Sequence, residues 1–133
     1  MDIIIFGGQS NMQGQTEGRP EKNEPVKGAL EYRVCQNGLI PLKHPVGEEY
    51  GNEQLRGSSK GGGSLVPAFC RAYVDETGRE VIAIHAAKGN TAIGEWQKGT
   101  PRFDSMAQKN PFGNQKSGRK RNSRTYLLRV AAR

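Results

Sequence analysis

Two short apolar runs constrain this chain more than any other feature: Ile3-Ile4-Ile5-Phe6 and Val81-Ile82-Ala83-Ile84. Neither alternates with polar residues, so a strand built from either needs cover on both faces. Central strands of a parallel sheet have that cover. Each run passes straight into glycine-rich sequence, "GGQSNMQG" after the first and "AAKGNTAIG" after the second. Strand, excursion, helix, strand is the grammar of an α/β fold with a parallel sheet. Ligands of such sheets gather at the carboxyl ends of the strands, where both glycine-rich turns fall.

The predicted strands cover 2–6 and 81–85. Residues 15–29 are polar, carry Pro20, Pro25 and Gly28, and read as a loop. Residues 31–42 hold Asn37-Gly38 between apolar stretches, which predicts a hairpin with a type I′ turn. Residues 43–63 read as a second long loop. Ser64 then N-caps a predicted helix over "LVPAFCRAYVDET", with Leu65, Phe69, Ala72 and Tyr73 as its apolar stripe and Gly78 as its stop. "PRFDSMAQK" can start a further helix.

A length of 133 residues suits one small domain. Apolar residues make up 34%, and glycine contributes 18 positions, so loops take much of the chain. No apolar run approaches the roughly 18–20 residues that span a bilayer. Asp2 and a four-residue apolar run do not make a signal peptide, so a cytoplasmic protein with no membrane partner is expected. Cys35 and Cys70 are too few and too distant for a metal site or disulfide framework, and read as small buried apolar residues. The net charge of +7 suggests nucleic acid, but its distribution argues otherwise. Residues 1–100 balance acid and base, whereas 101–133 set nine basic residues against Asp104 alone. That basic tail lacks the interleaved aromatics of a nucleic-acid groove and reads as solvated.

Ser10 follows Gly7-Gly8-Gln9 at a strand tip. It is an ordinary turn residue or a nucleophile on a sharp turn, where nearby backbone N–H groups can face a developing oxyanion. The pattern is not the G-x-S-x-G elbow, because Met12 takes the place of the second glycine. "GSSKGGGS" at 57–64 fails the P-loop test, since Gly63 stands where lysine is required; it reads as a flexible loop or a backbone donor at a helix start. His44 and His85 are the only histidines, and neither has an evident Asp partner. His85 ends a buried strand and reads as structural. No metal-ligand spacing occurs.

"IFGGQSNMQG" resembles the first block of the SGNH (GDSL-like) hydrolases, in the form of sialate O-acetylesterase-like proteins, carbohydrate acetylesterases of family six. "GGGSLVPAFCRAYVDETG" resembles the family's second block and following helix, and "VIAIHAAKGNTAIGEW" its next strand and loop. The resemblance implies a flavodoxin-like three-layer α/β/α fold and a serine esterase acting on O-acetyl groups of sialate or xylan-type carbohydrates. It implies Ser10 as nucleophile, with the N–H groups of Ser10 and Gly63 as oxyanion hole. It implies Gln9, Asn11, Gly89, Asn90 and Thr91 as substrate-binding positions in a pocket lined by Lys88–Ile93. An acetylated carbohydrate is the expected partner, with no metal and no organic cofactor.

The departures matter equally. The family's Trp-x-Gln-Gly-Glu-x-Asp segment and its late Asp-x-x-His are missing, and neither His44 nor His85 lies in such a context. The match fades after "TPRFDSMAQK". The expectation is an N-terminal part of an acetylesterase domain over 1–109, with 110–133 a basic, strandless tail, disordered or out of frame. Little activity is expected of this chain alone. The alternatives are a non-catalytic carbohydrate-binding remnant and, behind it, a nucleic-acid binder acting through the tail.

Overall fold

A computed structural model describes residues 1–15, 22–36, 38–50, 53–58, 63–111 and 124–130. Among them, strands β1 (Asp2–Gly8), β2 (Ala29–Arg33), β3 (Gly38–Pro41), β4 (Val81–Ala87) and β5 (Thr125–Val130) form one sheet in the order β3-β2-β4-β1-β5. β1 runs parallel to both β4 and β5, and β2 parallel to β4; only the β2–β3 pair is antiparallel. The α-helices are α1 (Ser10–Gln13), α2 (Val66–Thr77) and α3 (Pro101–Gln108), with a 3₁₀ turn at Ile93–Trp96 between β4 and α3.

The apolar runs behave as their composition demands. Ile4 and Phe6 point to one core with Val66 and Cys70 of α2, and Ile3 and Ile5 to a second with Met106 of α3 and Trp96, which lies ahead of α3. The period-2 pleat thus splits a continuous apolar run between two layers of cover. The result is the expected flavodoxin-like α/β/α arrangement. No helix among the described residues is long and apolar enough to cross a membrane.

Both central strands are longer than expected. β1 continues through Gly7 and Gly8, and β4 through Ala86 and Ala87, paired one to one. The turn therefore begins at Gln9, after the glycines rather than on them. The N-cap is Leu65 rather than the expected Ser64, because the helix starts a residue later; Ser64 Oγ accepts from Val66 N–H at 3.2 Å from just outside it. Gly78 ends it at φ 65°, its N–H donating to Val74 O. The stripe is corrected at one place: Ala72 is exposed, and Cys70 takes the buried position. Cys35 is corrected too, being exposed rather than buried.

The hairpin is found, but not its two-residue turn. The last pair is Arg33 with Gly38, which places Gly38 in β3 and residues 34–36 outside both strands; Asn37 lies outside the described residues. Glu48 explains the wider loop: its carboxylate accepts from Val34 N–H at 2.6 Å and Cys35 N–H at 3.0 Å, anchoring the backbone there.

The tail was expected to hold no strand, and Thr125–Val130 overturns this. Thr-Tyr-Leu-Leu-Arg-Val is rich in β-formers, a signal hidden by the basic sequence before it. Ile3 N–H donates to Arg124 O at 2.7 Å where the strand begins. The rest of the expected disorder, residues 112–123 and 131–133, lies outside the described residues.

Candidate active site

The carboxyl ends of β1 and β4 lie side by side, Gly8 opposite Ala87. Lys88 N–H donates back to Gly8 O at 3.0 Å, so the two chains leave the sheet together. From β1 the chain turns through Gln9 into α1, a single turn closed by Gln13 N–H to Gln9 O and Gly14 N–H to Ser10 O. Ser10 is half-buried at its start, with Oγ donating to Gln9 Oε1 at 3.1 Å.

The candidate positions are partly brought together. Gly89 is beside Ser10: a Cβ placed on it would stand 3.5 Å from Ser10 Cβ. Gly63 comes to the far end of the same turn, its carbonyl 2.8 Å from where a Cβ of Gly14 would be, which Gly14 at φ 87° does without. Asn11 and Asn90 are exposed, Asn90 in the left-handed region at φ 59°. Thr91 is tied inward: Oγ1 donates to Lys88 O at 2.9 Å and accepts from Trp96 Nε1 at 3.0 Å. Arg102 of α3 lies 5.7 Å over the Trp96 ring, which holds the far end of this loop.

Neither histidine is presented as a base. His85 is buried on β4 beneath the turn, its Nε2 3.0 Å from Met12 O. A carbonyl only accepts, so Nε2 carries the proton. Burial, reinforced by the charge of Lys109, pushes its pKa down to about 4, so the ring is neutral at neutral pH. His44 Nδ1 accepts from Ser64 N–H at 3.3 Å at the start of α2. Among the described residues no cluster of His, Cys, Asp and Glu is arranged to hold a metal ion.

Two features escaped sequence reasoning. Gln13, buried beside Ser10, accepts from Gly89 N–H at 2.5 Å and donates to Gly57 O at 3.0 Å. A buried ionic cluster also lies under the site. Lys109 Nζ donates to His85 O at 2.7 Å and sits 3.4 Å from Glu48, while Glu31 pairs with Arg33 at 3.2 Å and accepts from Gly47 N–H at 2.6 Å. Burial drives the Lys109 pKa down and the Glu31 pKa up, in each case against its ionic partners. In the sequence Glu31 and Arg33 belong to the predicted hairpin, Glu48 to a predicted loop and Lys109 to a predicted helix, and each looks like a solvated charge. "GSSKGGGS" and the basic run at 116–121 lie partly or wholly outside the described residues.

No curated protein matches the chain. A solved structure of an Arabidopsis thaliana protein shares the fold, with a TM-score of 0.66 and 18% identity over 95% of this chain and 56% of that one. The chain thus spans little more than half the length of that protein. The family model described as "Carbohydrate esterase, sialic acid-specific acetylesterase" matches residues 1–120, nearly the whole chain, and the chain belongs to that family.

Proposed function

We propose that Ser10 attacks the acetyl carbonyl of an O-acetylated carbohydrate, a sialate or xylan-type ester. The observation that carries this reading is the meeting of the Ser10 turn with the Gly89 loop at the carboxyl ends of two central parallel strands. Ser10 Oγ would bond to the carbonyl carbon while the C=O electron pair moves onto oxygen. We assign the N–H groups of Ser10 and Gly63 to that oxyanion, and Gln9, Asn11, Gly89, Asn90 and Thr91 to contacts with the substrate. Collapse would break the bond to the sugar oxygen, which takes up a proton; water then hydrolyses the acetyl-serine to acetate.

The proton of Ser10 needs an acceptor, but His85 Nε2 is bonded to Met12 O, its Nδ1 is buried against Gly47, and His44 Nδ1 accepts from Ser64 N–H. Turnover by this chain is therefore expected to be low, near the roughly 10³–10⁴-fold over water left when a triad lacks a member. Hydrolysis of an acetylated chromogenic ester, compared with Ser10→Ala, tests it. Residual turnover abolished by the substitution supports Ser10; turnover indifferent to it removes Ser10 from the chemistry. The same spent histidines favour a second reading, a non-catalytic carbohydrate-binding domain, whose signature is affinity for acetylated glycans without hydrolysis. The free thiols Cys35 and Cys70 suit a reducing cytoplasm.

A further inference from the structure

We propose that Gln13 is a positioning residue: its side-chain amide clasps two loops to the nucleophile turn and thereby sets where the substrate loop stands relative to Ser10. The inference rests on the acetylesterase reading for its consequence, but not for its geometry.

Gln13 is 8% exposed and lies three residues after Ser10. Its Oε1 accepts from Gly89 N–H at 2.5 Å and its Nε2 donates to Gly57 O at 3.0 Å. Backbone N–H can only donate and backbone C=O can only accept, so the two partners fix the orientation of the amide. The clasp spans three separate segments. Gly57 follows Arg56, whose N–H donates to Ala87 O at 2.7 Å, and Gly89 lies two residues beyond Ala87. Gln13 thus closes a ring that runs from the Ser10 turn through both loops and back.

Few side chains can do this. The site requires a donor and an acceptor on one planar group at one reach. Glutamate keeps only the acceptor, methionine keeps neither, and asparagine is a methylene short. Gly89 completes the fit, since a Cβ there would stand 3.0 Å from Gln15 Nε2 and 3.1 Å from Gln13 Oε1. The clasp therefore holds the loop so near the Ser10 turn that a Cβ on Gly89 would stand 3.5 Å from Ser10 Cβ.

Amide hydrogen exchange on the full chain tests the geometry, with Ile84 in β4 reporting whether the sheet is intact. Gln13→Met is expected to speed exchange at Gly89 by about tenfold with Ile84 unchanged. Unchanged Gly89 exchange beside an unchanged Ile84 overturns the clasp. If both amides speed up, Gln13→Glu at acid pH, compared with the parent at the same pH, decides: its protonated carboxyl keeps one donor, one acceptor and the volume, so retained Gly89 protection supports the clasp and lost protection overturns it. Titration with an O-acetylated methyl glucoside, followed by the amide shifts of Ser10 and Gly89, tests the consequence. Weaker binding in Gln13→Met than in the parent supports the positioning role, and equal binding overturns it. A parent chain that shows no shifts overturns the acetylester reading and the positioning role with it, while the exchange result still decides the geometry.

Discussion

His85 Nε2 lies 3.0 Å from the backbone oxygen of Met12, which makes this histidine a strut beneath the Ser10 turn. The opposite ring nitrogen, Nδ1, is buried with no hydrogen-bond partner among the described residues. A protonated ring there would face Lys109 and Arg33, whose charges oppose it. The folded pKa of about 4 lies below the ordinary value near 6.5, so the unfolded chain binds the extra proton between them. Stability is then complete above about pH 6.5 and falls as the pH drops toward 4, by about 3 kcal/mol from this group alone. Glu31, its pKa raised by burial, contributes a slope of opposite sign above the usual carboxylate range. The difference between parent and His85→Gln isolates the histidine. Urea unfolding from pH 7 to 4 is expected to show a shallower loss in the variant; parallel curves would refute the strut's neutral state.

Gly47 is the neighbour that makes the buried ring fit. It holds φ 87°, and a Cβ there would stand 2.3 Å from His85 Nδ1 and 2.9 Å from Gly57 Cα. Gly47→Ala is expected to destabilise by about 4 kcal/mol or more, combining backbone strain with overpacking. Adding His85→Ala is expected to recover part of that loss, because the ring is the nearest obstacle while Gly57 and the φ strain remain. A double-mutant cycle measured by chemical denaturation with no coupling between the two would contradict the contact.

These two residues mark the limit of what the sequence reveals. β1, β4 and α2 were legible because uninterrupted apolar runs and a capped amphipathic stripe report burial directly. Ser10 and Gly89 were legible as neighbours because parallel strands of one sheet deliver their carboxyl ends to one edge. Gln13, Lys109 and Glu48 were not, since their partners lie far off in sequence and no local pattern distinguishes a buried polar group from a solvated one. β5 was missed because its Thr125–Val130 run sits in basic surroundings and needs β1 beside it to become a strand.

Asp2 anchors that strand. Its carboxylate accepts from Tyr73 Oη at 2.5 Å, from Arg79 Nε at 2.7 Å and Nη2 at 2.5 Å, and from Arg124 N–H at 3.2 Å where β5 begins. The Arg79 hydrogen bond, more than any other, holds the Asp2 carboxyl far below the usual carboxylate range, and the same carboxylate pushes the Tyr73 phenol up to about 12. A depressed acid pKa stabilises the fold above the unfolded value near 3.9, and that contribution is lost only on stronger acidification. Asp2→Asn is expected to lower the thermal midpoint by roughly 5 °C at pH 7 and to speed exchange at the Arg124 amide, with the thermal gap narrowing by pH 2. A constant gap across that range would show that the charge of Asp2 is not what docks β5.

Lys109 gives a prediction of the opposite kind, because it is fully buried and the side chain of its partner Glu48 is only 9% exposed. Lys109→Met leaves Glu48 facing the interior, and is expected to cost about 3 kcal/mol. Glu48→Gln alone strands the ammonium in the same way. The double variant is expected to be more stable than Lys109→Met, since no unpaired charge remains. Denaturation of all three variants measures this; strict additivity would mean that the two groups do not act as a pair.

The last prediction separates crowding at Ser10 from general loss of fold. A methyl group on Gly89 would meet Gln15, Gln13 and Ser10 within 3.5 Å, whereas one on Gly94, five residues on in a 3₁₀ turn, would meet nothing within 4 Å. Both glycines lie outside the left-handed region, so neither substitution strains the backbone by φ. Gly89→Ala is therefore expected to push the loop off the Ser10 turn and weaken binding of an O-acetylated methyl glucoside by about tenfold or more, the effect of overpacking by one methyl group. Gly94→Ala is expected to bind as the parent does. Both variants should keep the protection of the β1 and β4 amides, because the crowding falls at the mouth of the sheet rather than within it. Equal affinity in the two variants would place the acetylated sugar away from the Ser10–Gly89 contact, and the catalytic assignment of that contact would fall with it.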